Sequence, residues 1–323
     1  MGRRHCKCLI RVWMNMKKLN EILGIKYPII QGGMANIATG AFASAAANAG
    51  ALGIIGSGGM RVDSLRENIR IAKSLTDKPF GVNLMLMHPD SHDMAQVVLD
   101  EGVKIVTTGA GVPAEFMDDW KKAGVIVMPV VSSAVLAKRL EQDGADLIIA
   151  EGTESGGHVG EMTTMTLVPQ VIDAVSIPVV AAGGIASGRQ LAAAFALGAC
   201  GAQVGTCLLA SKECPIHENY QQAVLKAKDN STIVLGRING SPVRVIKNNM
   251  AREYVKQEKA GLDKMELEKY TLGALRRAVF DGDTKTGSLM AGQVAGQLKE
   301  VRPMSEIFEE MVSDCEKVYE AWK

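Results

Sequence analysis

A single imidazole, His158, stands in the glycine-rich stretch GTESGGHVGEMTTM, residues 152–165. Because imidazole titrates near neutral pH, such a ring can give or take a proton during catalysis. A lone histidine is more often a structural residue, but glycines on both sides indicate a pliable loop that can carry the ring to a bound molecule. His158 is therefore the candidate for catalysis or substrate orientation.

Two other glycine-rich stretches are typical of phosphate binding. AAGGIASG, residues 181–188, leads into an Ala-rich helical segment, and QVGT, residues 203–206, follows the next apolar run. Backbone amides at such turns bind phosphate together with a helix N-terminus. The predicted phosphate cradle is Gly183, Gly184, Gly205 and Thr206. Close packing of strand against helix is the alternative explanation for these glycines.

Motifs of the common nucleotide enzymes are missing from the sequence. No G-x-G-x-x-G follows the first predicted strand, which disfavours a Rossmann dinucleotide site, and no Walker A loop is present. A phosphorylated substrate, or a phosphorylated cofactor such as flavin mononucleotide, fits the predicted cradle better.

The elements that must position these loops form a regular alternation of apolar runs and helical segments. The eight predicted strands are 28–31, 52–56, 80–86, 103–109, 125–131, 147–152, 177–184 and 202–206. Helical segments such as 42–50, 63–75, 114–124, 133–144 and 188–198 lie between them. Eight such units in about 180 residues predict an α/β fold of the (β/α)8 TIM barrel type. In this fold the strand ends and their glycine-rich loops meet at one face.

A segment of different composition, residues 208–286, follows the eighth predicted strand. It is richer in charge and poorer in glycine, with a predicted strand over 231–238 and predicted helices over 217–229, 245–261 and 264–283. We interpret it as a small inserted lid or substrate subdomain, so that the barrel comprises residues 16–207 and 287–323, with an amphipathic helix over 303–322.

Four basic residues of the insertion are candidates for contact with an acidic partner: Arg244, Lys247, Arg252 and Lys256. A solvated helix face with intrahelical ion pairs is the commoner explanation for such residues.

The basic first residues, 1–15, fall outside the barrel pattern and are expected to form a disordered extension. His5, Cys6 and Cys8 lack a matching pair of ligands downstream, so no metal site is predicted. The apolar run near the N-terminus is too short for a secretion signal or a membrane span, and the scattered cysteines are typical of reduced thiols.

The net charge of the chain is +1, which does not indicate a nucleic-acid-binding protein. A cytoplasmic enzyme with a small or small-ended ligand is expected.

Six motifs together carry a resemblance to a known family, from about Lys18 to the C-terminus. They are YPIIQGGMA (27–35), GVNLM (81–85), EGTESGGHVGEMTTMTLV (151–168), IPVVAAGGIASG (177–188), QVGT (203–206) and GSLMAGQVAG (287–296). They resemble the flavin-dependent enoyl-acyl-carrier-protein reductases of bacterial fatty-acid synthesis, which are members of the nitronate monooxygenase, or 2-nitropropane dioxygenase-like, family.

The resemblance implies flavin mononucleotide in the barrel mouth, NADH or NADPH as electron source, and trans-2-enoyl thioesters on acyl carrier protein as substrate. It implies a homodimer and allows a monovalent cation, for which the sequence gives no site. The site residues that it implies besides the cradle are Gln31, Gly33, Met34 and Asn83 near the flavin ring, Met290, Gly292 and Gln293 in the returning segment, and Glu151 on the flavin side. A structural salt bridge is an equal alternative for Glu151.

Three functions from different classes follow. In enoyl reduction, the substrate accepts a hydride at its β-carbon and a proton at its α-carbon, and His158 donates that proton or orients nicotinamide or thioester. In a nitronate monooxygenase, His158 would act as a base and oxygen would reoxidise the flavin. A barrel that binds a sugar phosphate without flavin, or a noncatalytic binding protein, is the least favoured.

Overall fold

The computed structural model describes residues 18–238 and 241–322, in which eight parallel strands form a nearly closed barrel. The barrel strands are β1 (Ile29–Gln31), β2 (Gly53–Gly56), β3 (Phe80–Met85), β4 (Ile105–Gly109), β5 (Ile126–Val131), β6 (Ile148–Glu151), β8 (Val179–Ala182) and β9 (Gly201–Val204). Their order is β1-β9-β8-β6-β5-β4-β3-β2, and a parallel bridge between Ile30 and Leu52 brings the two end strands together. The predicted (β/α)8 barrel and its eight strands are confirmed.

Helices alternate with these strands and continue through the rest of the chain. In chain order they are α1 (Leu19–Leu23), α2 (Gly40–Asn48), α3 (Val62–Leu75), α4 (Ser91–Asp100), α5 (Ala114–Lys122), α6 (Ala134–Gln142), α7 (Thr164–Ala174), α8 (Gly188–Ala196), α9 (Glu218–Leu225), α10 (Asn249–Lys259), α11 (Lys264–Thr271), α12 (Ala274–Asp281) and α13 (Met304–Trp322). Short 3₁₀ helices span Thr206–Ala210 and Gln293–Gln297.

The barrel strands are apolar on both faces because successive side chains point to opposite sides. Ile54 packs inside the barrel with Ile149, whereas Ile55, the next residue, packs outward among the helices. The helices that alternate with these strands pack on the outer face of the barrel, each through one apolar stripe. Helix α3, for example, buries Leu65 and Ile69 against the sheet. The runs of β-branched residues in the sequence are therefore buried strands of a parallel barrel.

Two strands that follow the barrel's last strand and one strand from the loop after β6 form a second, three-stranded antiparallel sheet. Its strands are β10 (Thr232–Leu235), β11 (Val243–Ile246) and β7 (Gly157–His158), in the order β10-β11-β7. Since β7 belongs to the loop after β6, this sheet ties the inserted segment to the barrel. The bounds of an inserted domain at 208–286, and its action as a lid, stay predictions.

Two predicted helices of the insertion differ from the structure. The segment 245–261 begins in strand β11, and its helix starts only at Asn249, where the Asn248 side chain accepts a hydrogen bond from the Ala251 N–H. The predicted helix 264–283 is broken in two by Gly273, whose φ of +67° does not fit a continuous α-helix.

The predicted C-terminal helix is present as α13, which packs against α8. The Tyr319 hydroxyl donates a hydrogen bond of 2.9 Å to the Ala192 carbonyl. No helix in the described ranges is long and apolar enough to cross a membrane. The predicted extension, residues 1–15, and the candidate ligands His5, Cys6 and Cys8 lie outside the described residues.

Candidate active site

A cavity of about 640 Å³ opens at the carboxyl ends of the barrel strands. This volume lies in the range of small-molecule and cofactor sites. Ten of the residues predicted for the site line it: Gly33, Met34, Asn83, Glu151, His158, Gly183, Gly184, Gly205, Thr206 and Met290. Motifs that are far apart in the sequence thus meet in one place.

Three of the predicted site residues do not line the cavity. Gln31 is fully buried, and its side-chain amide accepts from the Ile54 N–H at 3.0 Å and donates to the Ile54 carbonyl at 3.1 Å. Gln31 therefore closes the barrel between β1 and β2. Gly292 and Gln293 contact residues of the cavity wall without lining it themselves. The Gly292 N–H donates to the Thr206 hydroxyl oxygen, and the Gln293 N–H donates to the Glu154 carbonyl.

His158 is held by backbone pairing with the insertion. It lies opposite Val243 in the second sheet, and the next residue, Val159, donates its N–H to the Pro242 carbonyl at 3.1 Å. The preceding Gly157 has a φ of +77°, a conformation that favours glycine. The ring is exposed within the cavity, and burial of its inner side by the protein lowers its pKa. At neutral pH the imidazole is therefore mainly uncharged.

Glu151 ends strand β6 and lines the same cavity. Burial raises the pKa of its carboxyl group to about 7, and the one hydrogen bond to its side chain, from the Ser155 hydroxyl at 3.2 Å, acts in the opposite direction. Within the described residues no basic side chain forms a salt bridge with Glu151, so the alternative of a structural salt bridge is not supported. A large part of the Glu151 population carries a proton at neutral pH.

The predicted phosphate cradle combines two turns with free donors. Gly183 and Gly184 have φ values of +90° and +73°, and a Cβ at Gly183 would lie 2.7 Å from the Gly152 carbonyl oxygen. Among the described residues, the backbone N–H groups of Gly184 and Thr206 make no hydrogen bond to a backbone carbonyl. Backbone donors without a carbonyl partner at the wall of a cavity can bind an acceptor there, and a phosphate group supplies several.

The opposite side of the cavity shows close approach of backbone to side chain. A Cβ at Gly33 would lie 2.5 Å from the Asn83 Cβ, so only glycine fits there. The Asn83 amide donates to the Thr107 hydroxyl at 2.9 Å, which fixes the side chain. Such a wall, built from backbone and one fixed amide, suits a flat ring. Together with the cradle, these residues fit flavin mononucleotide.

Sequence analysis missed Gln203, Glu154 and Ser132, which also line the cavity. Gln203 lies in β9 against Gly32, and a polar residue within the apolar run AQVG was the signal for it. Both carboxylate oxygens of Glu154 accept from the Thr164 N–H at 3.0 Å, at the start of α7. The titratable residues of the lining are Glu151, Glu154 and His158, and no lysine or arginine of the described chain joins them.

The four basic residues proposed to face an acidic partner differ in their burial and in their contacts. Arg244 is buried, so a contact with a carrier protein is wrong for this residue. The Lys247 ammonium donates to the Asn230 carbonyl at 2.5 Å, and Lys256 forms a loose ion pair with Glu253 at 3.8 Å on the same helix. Arg252 is exposed on that helix. These contacts favour the solvated charged face over a dedicated docking surface.

Fold and cavity together define a TIM-barrel protein with a cavity at the strand ends, and comparison with known proteins gives its family. The model of the family described as nitronate monooxygenase matches residues 16–98 and 93–314. The chain belongs to this family, as the motifs predicted. It is an oxidoreductase of a flavin-dependent family.

Among solved structures, FabK from Thermotoga maritima is 44% identical, with a TM-score of 0.92 over 95% of this chain and 99% of FabK. A curated relative from Mycobacterium tuberculosis (strain ATCC 25618 / H37Rv) is 32% identical over 92% of this chain and 95% of its own length. It is named (3aS,4S,5R,7aS)-5-hydroxy-7a-methyl-1-oxo-octahydro-1H-indene-4-carboxyl-CoA dehydrogenase. A probable nitronate monooxygenase from Staphylococcus saprophyticus is 31% identical over 85% of this chain and 91% of its own length.

Proposed function

We propose that this protein is a flavin mononucleotide-dependent enoyl-acyl-carrier-protein reductase that takes its electrons from NADH or NADPH. The observation that carries the proposal is the 44% identity with FabK over 95% of the chain, against 31% with the nitronate monooxygenase relative. The motifs that resemble the enoyl reductases are also the ones that meet in the cavity. The name of the Mycobacterium tuberculosis relative, a carboxyl-CoA dehydrogenase, likewise points to a thioester.

Different residues of the cavity would bind different parts of the cofactor. Free N–H groups at Gly184 and Thr206 would bind its phosphate, and Gly33 and Asn83 would lie against its ring. Since no basic side chain of the described residues lines the cavity, backbone donors and helix ends would supply the favourable electrostatics. When bound, flavin mononucleotide supplies the hydride chemistry.

His158 and Glu151 are the groups that handle protons in this proposal. Saturating the double bond of an enoyl thioester places negative charge on the thioester oxygen before the α-carbon receives a proton. A neutral imidazole can donate an N–H hydrogen bond to that oxygen. Glu151, with a pKa of about 7, holds a proton at the pH at which it is needed. We assign His158 to contact with the substrate and Glu151 to the flavin side of the cavity.

Nitronate oxidation is the second candidate, and the lowered pKa of His158 favours it. A ring that is uncharged at neutral pH can accept a proton from a nitroalkane, which is the role of a base. The family name and the staphylococcal relative point the same way.

Two assays, one anaerobic and one in the presence of oxygen, separate the two functions. Purified protein with flavin mononucleotide is mixed with a crotonyl thioester of acyl carrier protein and with NADH or NADPH, and nucleotide consumption is followed at 340 nm. We expect rapid consumption that depends on the enoyl thioester. Oxygen uptake with alkyl nitronates is measured in parallel, and fast uptake without enoyl reduction would make the protein a nitronate monooxygenase.

A homodimer, a monovalent cation requirement and a cytoplasmic location stay predictions.

A further inference from the structure

Arg244 is a buried guanidinium that forms no ion pair with a carboxylate of the described residues. Only 5% of the residue is exposed. Its Nε and Nη2 donate to the Thr153 carbonyl at 3.0 and 2.9 Å, and its Nη1 donates to the Thr232 hydroxyl at 3.2 Å. Within the described chain no acidic side chain comes within ion-pair distance of it. All its partners are therefore neutral.

Stability alone does not account for an arginine at this position. Removing a guanidinium from water without an ion-pair partner is unfavourable, and an apolar side chain of similar volume often stabilises a fold equally well or better. Burial lowers the pKa of Arg244, the positive charge of Arg237 acts in the same direction, and the negative charge of Glu154, which lies beyond ion-pair distance, acts in the opposite direction. The geometry that the guanidinium imposes is a better explanation for its presence.

That geometry fixes both ends of the loop that carries His158. Two parallel donors from one planar group set the direction of the Thr153 carbonyl, where the loop leaves β6. At the other end, the backbone of Arg244 lies opposite Gly157, and Val243 lies opposite His158. One residue of β11 thus holds the loop through its side chain and through its backbone.

We propose that Arg244 is a positioning residue for His158, which keeps the loop 153–158 in place over the cavity. The inference rests on the proposed function only for its effect on turnover. A guanidinium is required because one side chain must reach a single carbonyl with two donors while a third donor holds Thr232 in the neighbouring strand. Lysine, a single point charge, can replace only part of this.

The test compares Arg244→Met and Arg244→Lys with Arg139→Gln, at an exposed arginine on helix α6 that does not line the cavity. The pKa of His158 is measured by NMR titration of its ring proton, assigned with His158→Asn. We expect it to rise towards the ordinary value in Arg244→Met, because a released loop hydrates the ring, and to rise less in Arg244→Lys. Turnover should fall by about 10²-fold in Arg244→Met, with a smaller loss in the lysine variant and little change in KM.

Several outcomes would overturn the proposal. If folded Arg244→Met keeps the wild-type pKa of His158 and turns over within about twofold of wild type, Arg244 is merely structural. Should Arg244→Met fail to fold, Arg244→Lys decides by the same titration, and an unchanged pKa there rejects the idea. Absence of enoyl reduction in the wild type would reject the proposed function alone, because the titration needs no substrate.

Discussion

The backbone N–H of Gly292 donates a hydrogen bond of 2.8 Å to the Thr206 hydroxyl oxygen, although 86 residues separate the two. This contact joins the returning segment after the insertion to the turn after the last barrel strand. A Cβ at Gly292 would lie 3.0 Å from the same oxygen and 2.6 Å from the Glu154 carbonyl oxygen. The backbone of the returning segment therefore closes the predicted phosphate cradle at Thr206.

Replacing Thr206 should weaken flavin binding without unfolding the barrel. Thr206→Val removes the acceptor of the Gly292 N–H, whereas Thr206→Ser keeps it. We expect flavin mononucleotide to bind about tenfold more weakly to the valine variant, the usual loss for one hydrogen bond to a partly buried group. Quenching of flavin fluorescence measures this, with Thr166→Val on the exposed face of α7 as control. Equal affinities of the valine and serine variants would contradict the closing role of the contact.

Gly184→Val tests the cradle more severely. Gly184 has a φ of +73° and a free N–H, so a branched side chain both strains the turn and covers the donor. We expect purified Gly184→Val to lose its flavin. Gly124→Val is the matched control, because Gly124 has a φ of +69° and nothing within 4 Å of its Cβ position. It should lose stability but keep the flavin, and loss of flavin in both variants would trace the effect to backbone strain.

His158→Ala separates the imidazole from the fold. Because the ring is exposed in the cavity, its removal should leave flavin content and thermal midpoint near the wild type. Enoyl reduction should fall by about 10²-fold or more, the range for losing a general acid or its equivalent. Stopped-flow measurements divide the loss between reduction by NADH and reoxidation by the enoyl thioester. His92→Ala, at an exposed histidine outside the cavity, serves as control.

A contrary result for His158→Ala is easily recognised. Early unfolding with normal turnover of the remaining folded protein would make the histidine structural. A defect confined to reduction by NADH would move its role from the thioester to the nicotinamide.

The barrel could be predicted from the sequence because its signal is local. A buried parallel strand such as Ile126–Val131 is apolar on both faces, and the glycine turns mark where each strand ends. The insertion was harder to predict. The predicted helix 245–261 includes Val245 and Ile246 of β11, because two adjacent apolar residues fit a helical period and a strand equally well. Arg244, which directly precedes this predicted helix, is grouped with the charged residues of the insertion, and its burial depends on partners outside the local sequence.

The errors at the site have a long-range cause. Gln31 has the right type and position to line the cavity, but its amide closes the β1–β2 junction, which exists only once the barrel is closed. Glu154 lies in the same motif as His158, yet its capping of Thr164 depends on where α7 begins in space. Residue types and loops can be predicted from local sequence, whereas side-chain partners across the barrel cannot.

The N-terminal residues should be dispensable for the proposed reaction. The family match begins at residue 16, and the first described helix begins at Leu19. We expect a chain that starts at Met16 to keep its flavin content and its rate of enoyl reduction within about twofold of the full chain. Absorbance at 450 nm and steady-state rates measure this. A colourless or insoluble product would show that the first fifteen residues contribute to the fold.

Glu151→Gln should change how stability depends on pH. The carboxyl group has a pKa of about 7 in the folded protein, above the ordinary value of 4.5, so the folded state binds its proton more tightly than the unfolded state does. Stability from this group is fully present below about pH 4.5 and is lost as pH rises to about 7, by up to about 3 kcal/mol. Glutamine cannot ionise, so the variant should lack this loss.

Urea denaturation at a series of pH values, at a fixed flavin concentration, measures the difference. The free energy of unfolding of Glu151→Gln should exceed that of the wild type increasingly between pH 5 and about 7.5 and then stay at a constant distance from it. Glu67→Gln, on the exposed face of α3, should follow the wild type. If Glu151→Gln also follows the wild type, the Glu151 carboxyl ionises normally in the folded protein. It would then be a carboxylate at neutral pH, which excludes it as the holder of a proton in the cavity.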